Sequence, residues 1–275
     1  MRFRHSFFVA LAAAAFVLVS AGGQLQAQSI QFGINPGEIE LVPGPGGTAT
    51  GVLVVFNRSA QRVRFTVKIE DMYIRPTGEL NLLEPGSLDW SVAKFSRVTP
   101  TQFDLDSNQQ VPVRVTVTVP PDARGGRYGA IVVSPAPVLQ TGPRVQGTIT
   151  IIVPKLVAKL LVPIRGTEVV GGAIVNMLAA SKPGGKGADI KVVFRNSGNV
   201  HVKTTGDVFI LDASGQQVGK VRLPEALVLP SSIREFKLSW DAKPLEPGTY
   251  TVRAVMDYGA DVLISGEVGF TYRKP

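Results

Sequence analysis

Few side chains in this 275-residue chain are equipped for covalent or metal chemistry. There is no cysteine, which excludes disulfides and thiolate metal sites. Beyond His5 near the N-terminus the one histidine is His201, just after the turn "RNSGN", and a single imidazole builds no metal cluster. A lone histidine at a strand edge reads as a solvated or packing residue. Ser59, Ser134 and Ser197 sit in turns with no base at a recognisable spacing. Asp207, Asp212, Asp257 and Asp261 are dispersed rather than set in a calcium loop. The glycine-rich stretches at 44–47 and 183–187 feed no helix and read as hairpin tips, not phosphate loops. Trp90 and Trp240 have faces that stack on sugars, but each lies in or beside a strand pattern, which favours core packing. No catalytic residue, metal ligand or cofactor is expected, so the chain is expected to act by binding.

The binding chemistry concentrates in "TITIIVPKLVAKLLVPI", residues 148–164. Its length and two central lysines, Lys155 and Lys159, argue against a membrane span, which needs roughly 20 apolar residues. Its Ile and Val content predicts a strand over 148–162. Alternate residues then share a face: Ile149, Ile151, Val153, Val157 and Leu161 lie with Lys155 and Lys159. Ile152, Leu156, Ala158, Leu160 and Val162 face the other way. The lysine side is expected to be the less buried, because charged ends must reach water. An edge strand apolar on both faces suits strand addition by a partner. The alternatives are that the spare face is covered by the chain's own opening strand or by its second domain. Pro154 removes one ladder donor and marks a bulge or a switch between sheets.

The elements around this stretch read as strands. "MRFRHSFFVALAAAAFVLVSAGGQLQAQS" has a basic front, a short apolar centre and a small-residue tail, the layout of a secretory signal peptide cut after Ala27. A retained anchor is the alternative. Removing Arg2 and Arg4 leaves a net charge of +6 with no dense basic block, which argues against nucleic acid as a partner for an exported protein. "TGVLVVFN", "RVRFTVKIED", "VPVRVTVTVP", "DIKVVFRN" and "TYTVRAVMDYG" alternate or cluster apolar residues between Pro, Gly and Asn breaks. The chain also repeats itself. A strand ending near Phe56 and a turn at Asn57 match a strand ending at Phe194 and a turn at Asn196. Gly126 two residues before Tyr128 matches Gly248 two residues before Tyr250, as if each pair made a structural corner. The predicted class is all-β: two tandem immunoglobulin-like sandwiches of about seven strands each, at 28–165 and 166–275, hinged near Ile164 to Gly166.

"FSRVTPTQFDLDSNQQVPVRVTV" resembles a stretch of periplasmic pilus chaperones, in which a Thr-Pro precedes an aromatic, a polar turn, a Gln and an Arg-bearing strand. Those residues here are Thr99, Pro100, Phe103, Leu105, Gln109 or Gln110, and Arg114. "PPDARGGRYGAIVVSP" resembles the first domain of WxL-interacting bacterial surface proteins. The pilus-chaperone resemblance implies that the last strand of the first domain pairs with an unfinished subunit, and that Lys159 binds its terminal carboxylate. The chain departs from that family in its opening strand, "IQFGINPGEIEL", which lacks the arginine of the carboxylate clamp and carries Glu38 and Glu40. Together these readings predict a periplasmic or secreted bacterial protein with a protein partner, a surface or pilus subunit. Ile149, Ile151, Val153, Lys155 and Lys159 would be its contacts. The second reading is a structural module binding peptidoglycan or another envelope polymer.

Overall fold

The computed structural model describes residues 32–136, 154–241 and 245–274. The expected signal peptide and the contacts expected at Ile149, Ile151 and Val153 lie outside the described residues. The described chain is strands and turns with two short 3-10 turns, and none of its helices is long and apolar enough to cross a membrane. Two β-sandwiches follow one another, in the immunoglobulin-like arrangement.

The first sandwich uses β1 (Phe32–Asn35), β2 (Glu38–Glu40), β3 (Thr48–Asn57), β4 (Val63–Ile74), β5 (Leu80–Leu83), β6 (Ser96–Thr99), β7 (Gln102–Leu105), β8 (Gln110–Thr118), β9 (Gly126–Pro135) and β10 (Leu156–Pro163). One sheet runs β1-β3-β8-β6, the other β2-β10-β9-β4-β5 with β7 also on β4. The count exceeds the expected seven because the opening segment divides between the sheets and the 80–99 insertion adds short strands. The second sandwich has the expected seven: β11 (Gly172–Ser181), β12 (Gly187–Asn196), β13 (Val202–Leu211), β14 (Gln217–Val228), β15 (Ile233–Asp241), β16 (Gly248–Asp257) and β17 (Ile264–Tyr272). Its sheets run β11-β12-β15 and β14-β13-β16-β17.

Period-two patterning builds each core. Val63, Phe65, Val67 and Ile69 of β4 point inward, while Arg64, Thr66 and Lys68 point out. Val113, Val115 and Val117 of β8 close the layer opposite, and Ile190, Val192 and Phe194 of β12 do the same in the second sandwich. Burying side chains of this size stabilises by about 1.5–3 kcal/mol each.

The internal repeat acquires a mechanism at its asparagines, both fully buried. Asn57 Nδ2 donates to the carbonyls of Gln61 (2.7 Å) and Leu105 (3.1 Å), while its Oδ1 accepts from the Ser59 amide (3.0 Å). Asn196 Nδ2 donates to Val200 (2.8 Å) and Val228 (2.9 Å), and its Oδ1 accepts from the Gly198 amide (2.9 Å). Each therefore ties its own turn, at positions two and four residues on, to a distant strand end. Removing either amide strands buried carbonyls, which costs about 1–3 kcal/mol per group. Asn57→Ala and Asn196→Ala are each expected to lose about 3 kcal/mol in urea denaturation. A loss below about 0.5 kcal/mol, typical of surface changes, would show that water replaces the side chain.

The connector at the expected boundary is hydrogen-bonded on both sides. Ile164 is buried in the first core, and its N–H bonds to the Gly125 carbonyl (2.9 Å). The Thr167 hydroxyl accepts from the Gly125 amide (2.9 Å), and Asn199 both accepts from the Val169 amide (2.7 Å) and donates to the Thr167 carbonyl (2.9 Å). The Gly126 amide reaches across to the Asn199 carbonyl (2.8 Å). The turn of the second sandwich is thus bonded to the first.

Candidate functional site

Strands β9 and β10 are buried on both faces, which explains why their sequence is apolar throughout rather than alternating. Ile131, Val133, Ala158, Leu160 and Val162 enter the first core. Tyr128, Ala130, Val132 and Leu161 face the other way and meet Leu229 of the second sandwich, with Leu227, Trp90 and Val157 packed around them. Leu161 is as buried as Leu160. The expectation that the lysine face of this strand is the more exposed is therefore corrected at Leu161: the second sandwich covers it. Trp90 and Trp240 both pack against apolar clusters, as expected from their strand positions.

The 80–99 insertion completes this face. Asp71, 1% exposed, accepts from the Ser91 hydroxyl (2.5 Å) and the Leu88 amide (2.9 Å). That fixes Trp90 and Val92 beside Tyr128, whose amide donates to the Trp90 carbonyl (2.8 Å) and whose carbonyl accepts from the Val92 amide (3.0 Å).

The two tyrosine corners are built differently. The Tyr250 hydroxyl donates to the Glu246 carbonyl four residues upstream (2.8 Å), and its ring stacks on Phe270 within the second core. Tyr128 turns away from its own core. Its hydroxyl accepts from the His201 amide (2.6 Å) and lies 3.4 Å from His201 Nδ1, with the rings edge to face. The glycines differ as well. A Cβ on Gly126 would meet the Tyr128 hydroxyl at 1.9 Å, whereas one on Gly248 meets nothing within 4 Å. Gly126 is required by the phenol lying over it, and the turn beside it is made by Gly125 at φ +68°. The sequence pairing of the corners therefore does not extend to their partners.

A charged strip borders this apolar interface. Strand β2 runs parallel to β10 and sets Glu38 opposite Lys159. Glu38 accepts from Lys159 (2.7 Å) and from Lys203 of β13 (2.7 Å), so one carboxylate bridges the two sandwiches. Partial burial pushes Glu38 up, but the hydrogen bonds from Lys159 and Lys203 outweigh it and hold the carboxyl below its ordinary value. The same contact raises Lys203. Lys155 lies 3.5 Å from the buried Glu70, which Lys68 also engages. Both lysines proposed from sequence as partner contacts are thus held by carboxylates of the chain itself. Glu38, in the opening segment that carries no arginine, occupies Lys159 with an internal acid.

His201 is the residue whose weight sequence reading missed. Its side chain is only 8% exposed, between Tyr128 of β9 and Glu40 of β2, whose carboxylate lies 3.8 Å from Nε2. Burial lowers its pKa, and Lys203 and Lys159 add to that, while Glu40 and Glu38 oppose it. The unfolded state then binds the proton more readily, so stability falls as pH drops below the ordinary histidine value near 6.5. Glu38 acts in the same direction at lower pH: its contribution is present above the unfolded carboxylate value and lost on acidification through the folded one. Thermal unfolding of the parent should lose Tm between pH 7 and 5.5, and His201→Gln should flatten that decline while leaving the carboxylate loss below it. Equal slopes for the two proteins would remove His201 from the interface energetics.

No protein-family model matches the chain, and no curated protein matches it significantly. Solved structures with a similar backbone include the class 5 fimbriae chaperone CfaA, at 13% identity over 88% of this chain and 97% of that one, with a TM-score of 0.45. The Pseudomonas aeruginosa CupB2 chaperone is 15% identical over 86% and 98%, with a TM-score of 0.40. The E. coli chaperone DraB is 16% identical over 89% and 98%, with a TM-score of 0.41. These are likenesses of backbone, and no activity follows from them.

Proposed function

We propose that the protein is a non-enzymatic, exported binding protein of a bacterial envelope, with a chaperone-like or adaptor role in assembling surface structures. It captures a polypeptide partner by strand addition along residues 148–162. One observation carries this reading. Strand β2 covers the outer edge of β10 only from Lys159 to Leu161, and no described strand pairs with that edge at Leu156, Val157 or Ala158. An extended partner laid there gains main-chain hydrogen bonds and continues the apolar cluster at the half-buried Val157. Lys155 and Lys159 flank the opening, so an acidic partner group competes with Glu70 and Glu38 for them. Internal neutralisation of both lysines disfavours capture governed by charge and favours capture governed by apolar contact.

A photo-crosslinking amino acid in place of Lys155, half exposed at its side chain, tests this in the native host. The expected adduct is an exported surface subunit, identified by mass spectrometry. The same substitution at the exposed Lys237 of β15 is expected to give none. Ile151→Thr with Val153→Thr should suppress the adduct and change stability by less than about 0.5 kcal/mol, whereas Leu160→Ala should cost about 2–5 kcal/mol. The reading fails if the double variant destabilises as much as the core change, or if Lys155 and Lys237 yield the same adducts.

A further inference from the structure

Trp240 stands at the end of β15 with its ring in the second core, only 7% exposed. The indole lies against Gly219 of β14, where a Cβ would meet Nε1 at 2.6 Å, so the ring occupies the space a side chain would need. Its N–H donates to no group among the described residues, and it is not sealed. The buried side-chain polar atoms there that lack a partner are Nε and Nη1 of Arg234, whose guanidinium packs on Gly78. The indole N–H therefore opens onto the cavity that Trp240 lines, of about 700 Å³, a size usual for small-ligand sites. Strands β13 and β15 reach this cavity at the ends remote from His201 and Arg234, about 30 Å along β13 from the contacts between the sandwiches.

Asp212, Ser214, Val218, Glu246 and Tyr250 also line the cavity. Asp212 Oδ1 accepts from the Ser214 amide (2.8 Å), the Ser214 hydroxyl (2.6 Å) and the Gln216 amide (3.0 Å), which fixes the carboxylate and leaves Oδ2 without a donor among the described residues. The Tyr250 hydroxyl donates to the Glu246 carbonyl, so the Glu246 carboxylate is not used there. Burial raises the Tyr250 phenol, and the charges of Glu246 and Asp212 add to that, so both acids lie near one hydroxyl. Asp241 at the rim is held by Lys182, whereas Asp212 and Glu246 pair with no cation among the described residues. Two requirements meet here: an acceptor for the indole N–H and donors for two carboxylates. An anion meets the first and is repelled by the acids. An ammonium meets the second and has no lone pair for the indole. A hydroxyl meets both, and a ring carrying several hydroxyls also has C–H faces for the exposed Val218. We propose that this cavity is a carbohydrate-binding site, in which Trp240 Nε1–H donates to an oxygen of a pyranose ring and Asp212 and Glu246 accept from its hydroxyls. Plain and N-acetylated sugars share this chemistry. The site lies away from the β10 edge and does not rest on strand addition.

The test uses the ¹⁵N-labelled mature protein. Its two tryptophans give two indole Nε1–H resonances, and that of Trp240 is assigned by its loss in Trp240→Phe or, if that variant does not fold, by elimination with Trp90→Phe. Cellobiose and N,N′-diacetylchitobiose are the probes, and N-acetyl-lysine amide is the cationic comparison. The expected result is a saturable shift of the Trp240 resonance with a disaccharide, with Trp90 unmoved; the disaccharide that gives it tells plain from N-acetylated sugar. Asp212→Asn and the exposed Glu246→Gln should each weaken that binding about tenfold. The proposal is overturned if neither disaccharide moves the Trp240 resonance, or if both tryptophans shift alike without saturation. It is also overturned if the cationic probe alone moves it, which makes the cavity a site for basic side chains, or if both carboxylate variants bind the sugar as the parent does.

Discussion

The structure depends on β9 and β10 being buried on both faces. One face closes the first core, and the other is covered by Leu227 and Leu229 of the second sandwich. Several contacts between the sandwiches support that second burial, which is full at Leu161 and partial at Val157. Asp71 holds the insertion that brings in Trp90, Tyr128 caps the end of the cluster, and the connector from Ile164 to Val169 is bonded rather than free. Burial of Tyr128, Leu161 and their neighbours, at about 1.5–3 kcal/mol each, outweighs the flanking ion pairs, which contribute about 0–1 kcal/mol each where exposed.

The ion pairs bring selectivity rather than strength. Glu38 holds one lysine from each sandwich, so the charged rim is matched only when the sandwiches keep this relation. His201 and Tyr128 behave similarly. A backbone amide of the second sandwich is satisfied only by a phenol of the first, and leaving it unmade would strand a buried donor. The interface is therefore exacting about geometry and, through His201 and Glu38, about pH.

Arg234 contrasts with these satisfied groups. Glu38, Asp71, Asn57 and Asn196 each have their partners, while the Arg234 guanidinium has none among the described residues. Nearby, the edge of β10 runs out of cover where β2 ends.

The all-β class, the alternation of β4 and β8 and the repeat that set Asn57 against Asn196 were legible in the sequence, because period-two patterning and turn chemistry are local. So was the double apolarity of β10, though not its cause: a second apolar face fits an opening strand, a neighbouring domain or a partner equally well until the chain is folded. The structure assigns it to the second domain at Leu161 and to the chain's own β2 along the edge from Lys159 to Leu161. The paired Gly-Tyr spacing was visible, but the divergence of Tyr128 from Tyr250 was not, since its partner His201 is 73 residues away. The same holds for Glu38 with Lys203 and for Arg234 with Gly78. Residue spacing fixes which side chains share a strand face; which distant charge or ring meets them is set by how the two sandwiches pack, and only the tertiary structure decides that.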